Sequence, residues 1–179
     1  MIAIDNVPFR LKMARDQFNA DTIDFSNEDV IKTMQRLVPG GPDVCIDCAG
    51  FRYAKTLAHK VERALHLETD QPTVLNEMIF LCKKGGRISI VADYYGYTNQ
   101  FNIGAFMEKS LSMAGGQAFV QAYWQELLGY IEQGKVDPTF VITHRWPLER
   151  AAEAYKMFDE KTDECVKVIL LPGLKPSSR

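Results

Sequence analysis

The sequence predicts an α/β protein with a mainly parallel sheet and helices on both faces, and three observations carry that expectation. Short apolar runs alternate with stretches of helical spacing along the chain, and strands joined through helices form right-handed crossovers and parallel sheets. The chain opens on one such run, Ile2-Ala3-Ile4, closed by Asp5; an acid in that place is the ribose-gripping position of a dinucleotide-binding βαβ unit. That acid normally lies about 20 residues beyond a glycine-rich turn that holds the pyrophosphate, yet only four residues precede Asp5. The sheet therefore reads as beginning at its second strand.

Each further element has its own signal. Pro8 is permitted in a first helical turn, and Leu11, Ala14 and Phe18 follow at helical spacing. DTIDF (21–25) reads as a strand. Ser26 followed by Asp29 resembles an N-cap signature for a helix carrying Val30, Ile31, Met34 and Leu37, which VPGGPD closes. Residues 44–49 form the next apolar strand, and 51–71 read as a helical excursion without a clean end signal. PTVLNEMIFLCKKGG places Leu75, Met78, Ile79 and Cys82 on one stripe, with Lys83-Lys84 and Gly85-Gly86 as dipole-matched end and cap. A buried strand is expected over 87–93, and a segment over 102–112 leads to SMAGGQA. VQAYWQELLGYIEQGK aligns Val120, Trp124, Leu127, Leu128 and Ile131 on one face. FVIT (140–143) is strand-like, WPLERAAEAYKMFDEK is a helix with Ala151, Ala152, Tyr155 and Phe158 inward, and 166–172 is the closing strand.

Composition narrows the function classes. With 179 residues, 46% apolar and 25% charged, the chain suits a compact soluble protein and not a disordered one. Lys and Arg number 21 against 23 acids, interspersed, which argues against nucleic acid or an anionic membrane as partner. No apolar run approaches the roughly 18 residues of a membrane span, and Asp5 interrupts any signal-peptide core, so a cytoplasmic address is expected. Cys45, Cys48, Cys82 and Cys165 fall in apolar contexts that suit reduced, buried thiols. Cys45-x-x-Cys48 lies on a strand, where residues three apart point to opposite faces, which favours core cysteines over a metal or redox pair. His59 and His66 are too far apart for a metal-binding pair on one helical turn, and His144 reads as a hydrogen-bonding residue.

An acid after the second strand suits both nicotinamide-dependent dehydrogenases and methyltransferases using S-adenosylmethionine, and LCKKGGRISIVAD resembles a later methyltransferase strand. DPTFVITHRWPLERAAEAYKMFDEKTDECVKVILLP, however, resembles the C-terminal end of medium-chain, zinc-dependent alcohol dehydrogenases. GFRYAKTLAHKVERAL and GYTNQFNIGAFMEKSLSMAGGQA resemble the branch holding formaldehyde dehydrogenase-like and threonine dehydrogenase-like enzymes. The resemblance spans residues 2–172.

It implies an incomplete Rossmann-like parallel sheet lacking the first strand and glycine-rich turn. A partial NAD-binding domain is expected over 1–116, a segment over 117–172 that in the family packs with the catalytic domain, and a flexible tail over 173–179. The GroES-like catalytic domain, the ligands of the catalytic zinc and the four-cysteine structural zinc loop have no counterpart in the chain, so no catalytic residue carries over. Cofactor positions do. Asp5 matches the ribose-binding acid, whose charge would repel a 2′-phosphate and favour NAD over NADP; its plain structural reading is a helix-capping acid. Arg10 matches a basic position beside the adenosine ribose. Ala49, Ala92 and Asp93 fall where open α/β sheets place ligands. Gly116 and Gln117 match the segment flanking the nicotinamide, and Lys167 a basic position that reaches the pyrophosphate.

The function so implied is a portion of an NAD-dependent zinc-type alcohol or aldehyde dehydrogenase, inactive alone. A non-catalytic nucleotide-binding or assembly module pairing with a separate N-terminal half is the alternative, and a methyltransferase a third. The partners implied are NAD or its adenosine half, a second copy of the chain, or that N-terminal half. In the strand order 3-2-1-4-5-6 the first strand is central. Strands 2 and 4 must then re-pair directly, accept a strand from a partner, or leave the half carrying Asp5 poorly ordered. Phe158 and Val168 are expected on exposed, associating faces.

Overall fold

The computed structural model describes residues 1–50 and 70–173. In chain order they form β1 (Ile2–Asp5), α1 (Pro8–Phe18), β2 (Asp21–Asp24), α2 (Val30–Leu37), β3 (Val44–Asp47), α3 (Thr73–Leu81), β4 (Arg87–Ile90), α4 (Ile103–Glu108), β5 (Ser112–Gly115), α5 (Val120–Glu132), β6 (Ile142–Pro147), α6 (Ala151–Glu160) and β7 (Lys167–Leu171). The helical excursion expected over 51–71 lies outside the described residues except for Asp70 and Gln71. Two compact units result, one of Met1–Asn6 with Ala20–Ala118 and one of Val7–Asn19 with Phe119–Arg179. No helix of the described residues is long and apolar enough to cross a membrane.

In the first unit every strand pairing is parallel. β1 runs beside β2 with Asp5 opposite Asp24, and β3, β4 and β5 form a second sheet in that order. Among the described residues no ladder joins β1 to β3. Among the described residues β1 and β3 thus do not pair directly with each other.

The core of this unit lies around α3. Leu75, Met78, Ile79 and Cys82 pack with Ile88 and Leu111, the stripe that the helical spacing predicts. Ile23, Val30 and Met34 form a second cluster, joined by Ile2 from β1 and Leu81 from α3. Hydrophobic contact through α2 and α3 therefore holds together two sheets that no backbone bond connects.

Several local details differ from the sequence reading. Asp29, not Ser26, caps α2, its carboxylate accepting the Lys32 N–H at 3.1 Å. Helix α3 stops at Leu81, because Cys82 turns extended (φ −57°, ψ 138°). Lys83 and Lys84 consequently lie beyond the helix. Lys109 neutralises that helix end instead, its Nζ donating at 2.8 Å to the carbonyls of both Ile79 and Phe80. Sequence spacing could not disclose a partner about 30 residues away. Of the four thiols expected to be buried, Cys82 and Cys165 are; Cys45 is half-buried, and Cys48 is exposed because β3 ends one residue before it.

In the second unit, β6 pairs in parallel with β7, and Phe18 of α1 meets Phe140 edge to face at 5.3 Å. Strand β6 begins at Ile142 and not at 140, since the Asp137 carboxylate accepts the Thr139 N–H at 2.9 Å and winds residues Pro138–Val141 into a 3-10 turn. Helix α6 buries Ala154 and Met157. Tyr155, 72% exposed, was expected inward; Phe158, 48% exposed, meets the expectation of an exposed face and not the inward one of the helical spacing. Period alone finds an apolar stripe but not which stripe a neighbour will cover. Similarly, Val120, Trp124, Leu127, Leu128 and Ile131 share a face of α5, and all are exposed.

Replacing Ile79, fully buried, by alanine should cost about 2–5 kcal/mol in denaturant unfolding. Leu127→Ala on the uncovered face of α5 should cost less than about 0.5 kcal/mol. Equal losses would contradict this distribution of the core.

Candidate cofactor site

A parallel sheet gathers its ligand-facing loops at the carboxyl ends of its strands. In the first unit Asp5 is the last residue of β1, Ala49 follows β3, Ala92 and Asp93 follow β4, and Gly116 and Gln117 follow β5. Six of the residues singled out in the sequence thus stand at carboxyl ends within one unit. Arg10, on α1, and Lys167, on β7, belong to the second unit. Arg10 there lies 5.9 Å from the Phe9 ring centroid, and Lys167 is exposed.

Asp5 is half-buried, and its Oδ1 accepts the N–H of Asn6 at 2.7 Å. This local bond holds the carboxylate at the strand end. Such an anchored carboxylate presents two oxygens with a defined orientation, the arrangement that suits vicinal hydroxyls.

Beyond β3 and β4 the loops converge on a group the sequence reading passed over. Asp47 ends β3 and is 1% exposed. Its Oδ1 accepts the N–H groups of Ala49 at 2.8 Å and Gly50 at 3.1 Å, while Oδ2 accepts the Tyr94 hydroxyl at 2.7 Å. Its carbonyl receives both Val91 and Ala92 N–H, at 3.0 and 2.9 Å. One buried carboxylate therefore ties the turn after β3 to the turn after β4.

Gly50 completes the junction. Its φ of +75° is a left-handed conformation, and a Cβ there would come within 2.5 Å of the Asp93 carbonyl oxygen. Only glycine permits so close an approach. Asp70, 2% exposed, supports the far side of the second turn, its Oδ2 accepting the N–H groups of Tyr95 at 3.0 Å and Gly96 at 2.7 Å. Tyr94 is held strongly protonated: burial, and then the neighbouring Asp47 and Asp70, push its hydroxyl well above the ordinary phenol range. The signal for this cluster was available as Asp-x-x-Gly after an apolar strand; its tyrosine partner, 47 residues on, was not.

The result is a pair of tied turns that leave Ala49 and Asp93 exposed. The cleft of about 280 Å³ lined by Val38, Gly41, Leu81, Lys83 and Lys109 lies instead at the amino ends of β3 to β5, away from where parallel sheets bind ligands.

Among the described residues no three His, Cys, Asp or Glu side chains are grouped to hold a metal ion. Burial and the adjoining Cys82 push the Cys45 thiol up to about 12, and burial and Asp47 also raise Cys48, so neither is a ready thiolate. His144 is engaged as a hydrogen-bonding residue, Nδ1 2.8 Å from Thr143 Oγ1 and Nε2 3.1 Å from Asp163 Oδ2. His59 and His66 lie outside the described residues.

No family model matches the chain. A zinc-type alcohol dehydrogenase-like protein of Schizosaccharomyces pombe is 38% identical over 169 residues, 94% of this chain but 40% of its own length. Among solved structures, an alcohol dehydrogenase from Thermus sp. ATN1 superposes with a TM-score of 0.72 at 27% identity, covering 96% of this chain and 43% of that one. An Escherichia coli alcohol dehydrogenase complexed with NADH shares the fold, with a TM-score of 0.73 at 19% identity over 94% of this chain and 43% of its own. The chain spans less than half the length of the relatives it matches.

Tyr94→Phe should destabilise the protein by about 1–3 kcal/mol, because Asp47 Oδ2 loses its donor in a buried site. The wild type should also lose stability as pH rises above about 10, where the unfolded tyrosine ionises and the folded one does not. That alkaline slope should be shallower in Tyr94→Phe when unfolding is followed from pH 8 to 11. An unchanged slope would remove Tyr94 from this role.

Proposed function

Because this chain belongs to the zinc-type medium-chain alcohol dehydrogenases as their C-terminal part, we propose that it supplies the larger share of an NAD-binding surface for an alcohol or aldehyde dehydrogenase. The observation that carries the reading is Asp5, a half-buried carboxylate anchored at the carboxyl end of a parallel strand. Asp5 would hold the two ribose hydroxyls of the adenosine half, and its charge would disfavour a 2′-phosphate. Ala49, Ala92 and Asp93 would line the turns after β3 and β4, with Gly116 and Gln117 beside the nicotinamide. Bound NAD would supply hydride acceptance. The described residues hold no ligand set for zinc, and no step is assigned through it.

Binding by this chain alone should be weak. Its glycines include no pair spaced as G-x-G, so the backbone amides that cradle a pyrophosphate are not provided. Two or three charge-assisted hydrogen bonds contribute about 3–9 kcal/mol. A micromolar site amounts to about 8 kcal/mol in total. NAD should therefore bind in the millimolar range or weaker, through its adenosine half.

An NMR titration of the chain with NAD and with NADP tests this. A millimolar Kd for NAD, weaker binding of NADP, and roughly a tenfold further loss in Asp5→Ala (about 1.4 kcal/mol, one hydrogen bond to a charged group) are expected. Binding that ignores the Asp5 substitution would refute the assignment, as would ordinary alcohol oxidation by the purified chain.

A further inference from the structure

Opposite the cofactor side, where the turns before β3, β4 and β5 meet, the first unit holds a cleft of about 280 Å³ with an apolar wall and a cationic rim. Val38, Phe80 and Leu81 line it together with Lys83, Lys84 and Lys109. Phe80 is 53% exposed, an aromatic ring left uncovered on a helix whose other face is the core. Backbone bonds fix the walls. The Lys83 N–H donates to the Pro42 carbonyl at 3.1 Å, and the Gly85 N–H to the Lys109 carbonyl at 2.8 Å. Gly41 sits at φ +86°, where a Cβ would come within 2.2 Å of the Leu81 carbonyl oxygen, so only glycine lets this turn reach α3.

The charges around the cleft do not cancel. Helices α2 and α3 both end there, and the carboxyl ends of helices attract cations. Arg36 lies in the last turn of α2, and Lys109 Nζ meets the Ile79 and Phe80 carbonyls at the end of α3. Lys83 is paired with Asp43, whose carboxyl it holds below the usual range. Lys84, exposed on its turn, makes no ion pair among the described residues. One full positive charge is therefore left over. Beside it, Lys109 uses two of its three ammonium N–H donors in the bonds to α3.

We infer that this cleft is a second binding site, separate from the cofactor side, for a compact aromatic monoanion of the benzoate class. The carboxylate accepts the remaining Lys109 donor and meets the Lys84 charge, while the ring lies against Phe80, Val38 and Leu81. A single negative charge matches the single uncompensated positive one, whereas a phosphate dianion would carry a second charge against the Asp43 carboxylate. Volume sets the size of the occupant. Pockets for drug-sized ligands begin at about 300 Å³, so this one takes less, a single ring with its acid group.

A titration of the full chain with sodium benzoate, followed by heteronuclear NMR without NAD, tests this. One saturable site with a Kd of about 1–10 mM is expected, with shifts at Gly40, Gly41, Lys84 and Gly85 and none at Asp5, Ala49 or Asp93. Benzamide keeps the ring without the charge and acetate the charge without the ring; each should bind about fivefold more weakly or worse. Lys84→Gln should raise the Kd about threefold and Phe80→Ala about fivefold, while Leu127→Ala, on the exposed face of α5, leaves it unchanged. Should Phe80→Ala unfold, Lys84→Gln, an exchange on an exposed turn, decides alone. The inference falls if benzamide or acetate binds as well as benzoate, if Lys84→Gln binds unchanged, if the shifts gather on α5, or if about 20 mM benzoate saturates nothing. With NAD absent from every arm, such a failure leaves the Asp5 reading standing, and failure of the NAD titration leaves this site standing.

Discussion

A parallel strand carries hydrogen-bonding groups on both edges, and a buried sheet is complete only when both are answered. That requirement governs the first unit of this protein. β1 and β3 are each paired on one side, and neither has turned to the other. The reason is the packing beneath them: α2 and α3 hold the sheets through Ile23, Met34 and Leu81. Closing β1 onto β3 would require shifting a strand by roughly the 4.8 Å interstrand spacing, and close-packed side chains resist such a shift. Hydrophobic contact therefore holds the two sheets in place without a ladder between them among the described residues.

The same parallel arrangement explains why the candidate cofactor residues collect where they do. Every strand of the unit ends on one side, so Asp5, Ala49, Ala92 and Gly116 share that side although they are dispersed in sequence. Their loops are held by buried polar groups and not by apolar packing. Asp47 accepts hydrogen bonds from two turns at once, and Gly50 lets the chain approach the Asp93 carbonyl. An unsatisfied carboxylate in such a place would be costly, so these turns form together or not at all. Loops tied in this way would need little further ordering to meet a ligand.

The second unit shows the complementary feature, apolar surface without a cover. Trp124, Leu127 and Tyr155 are 49%, 53% and 72% exposed, on helices whose opposite stripes are buried or polar. In α6 the covered stripe is Ala154 and Met157, which the β6–β7 pair can reach.

The sequence by itself determined the alternation of elements, the stripe of α3, the acid at the end of β1 and the family. These depend on spacing within one element, or on a motif contiguous in the chain. Tertiary structure decided which apolar stripe of α6 is covered, that Lys109 rather than Lys83 meets the end of α3, and that Asp47 finds Tyr94. It also decided that β1 and β3 do not pair with each other among the described residues. Each of these is a choice among partners distant in the chain. Local periodicity offers such partners on equal terms, and only the packing of whole elements against one another selects among them.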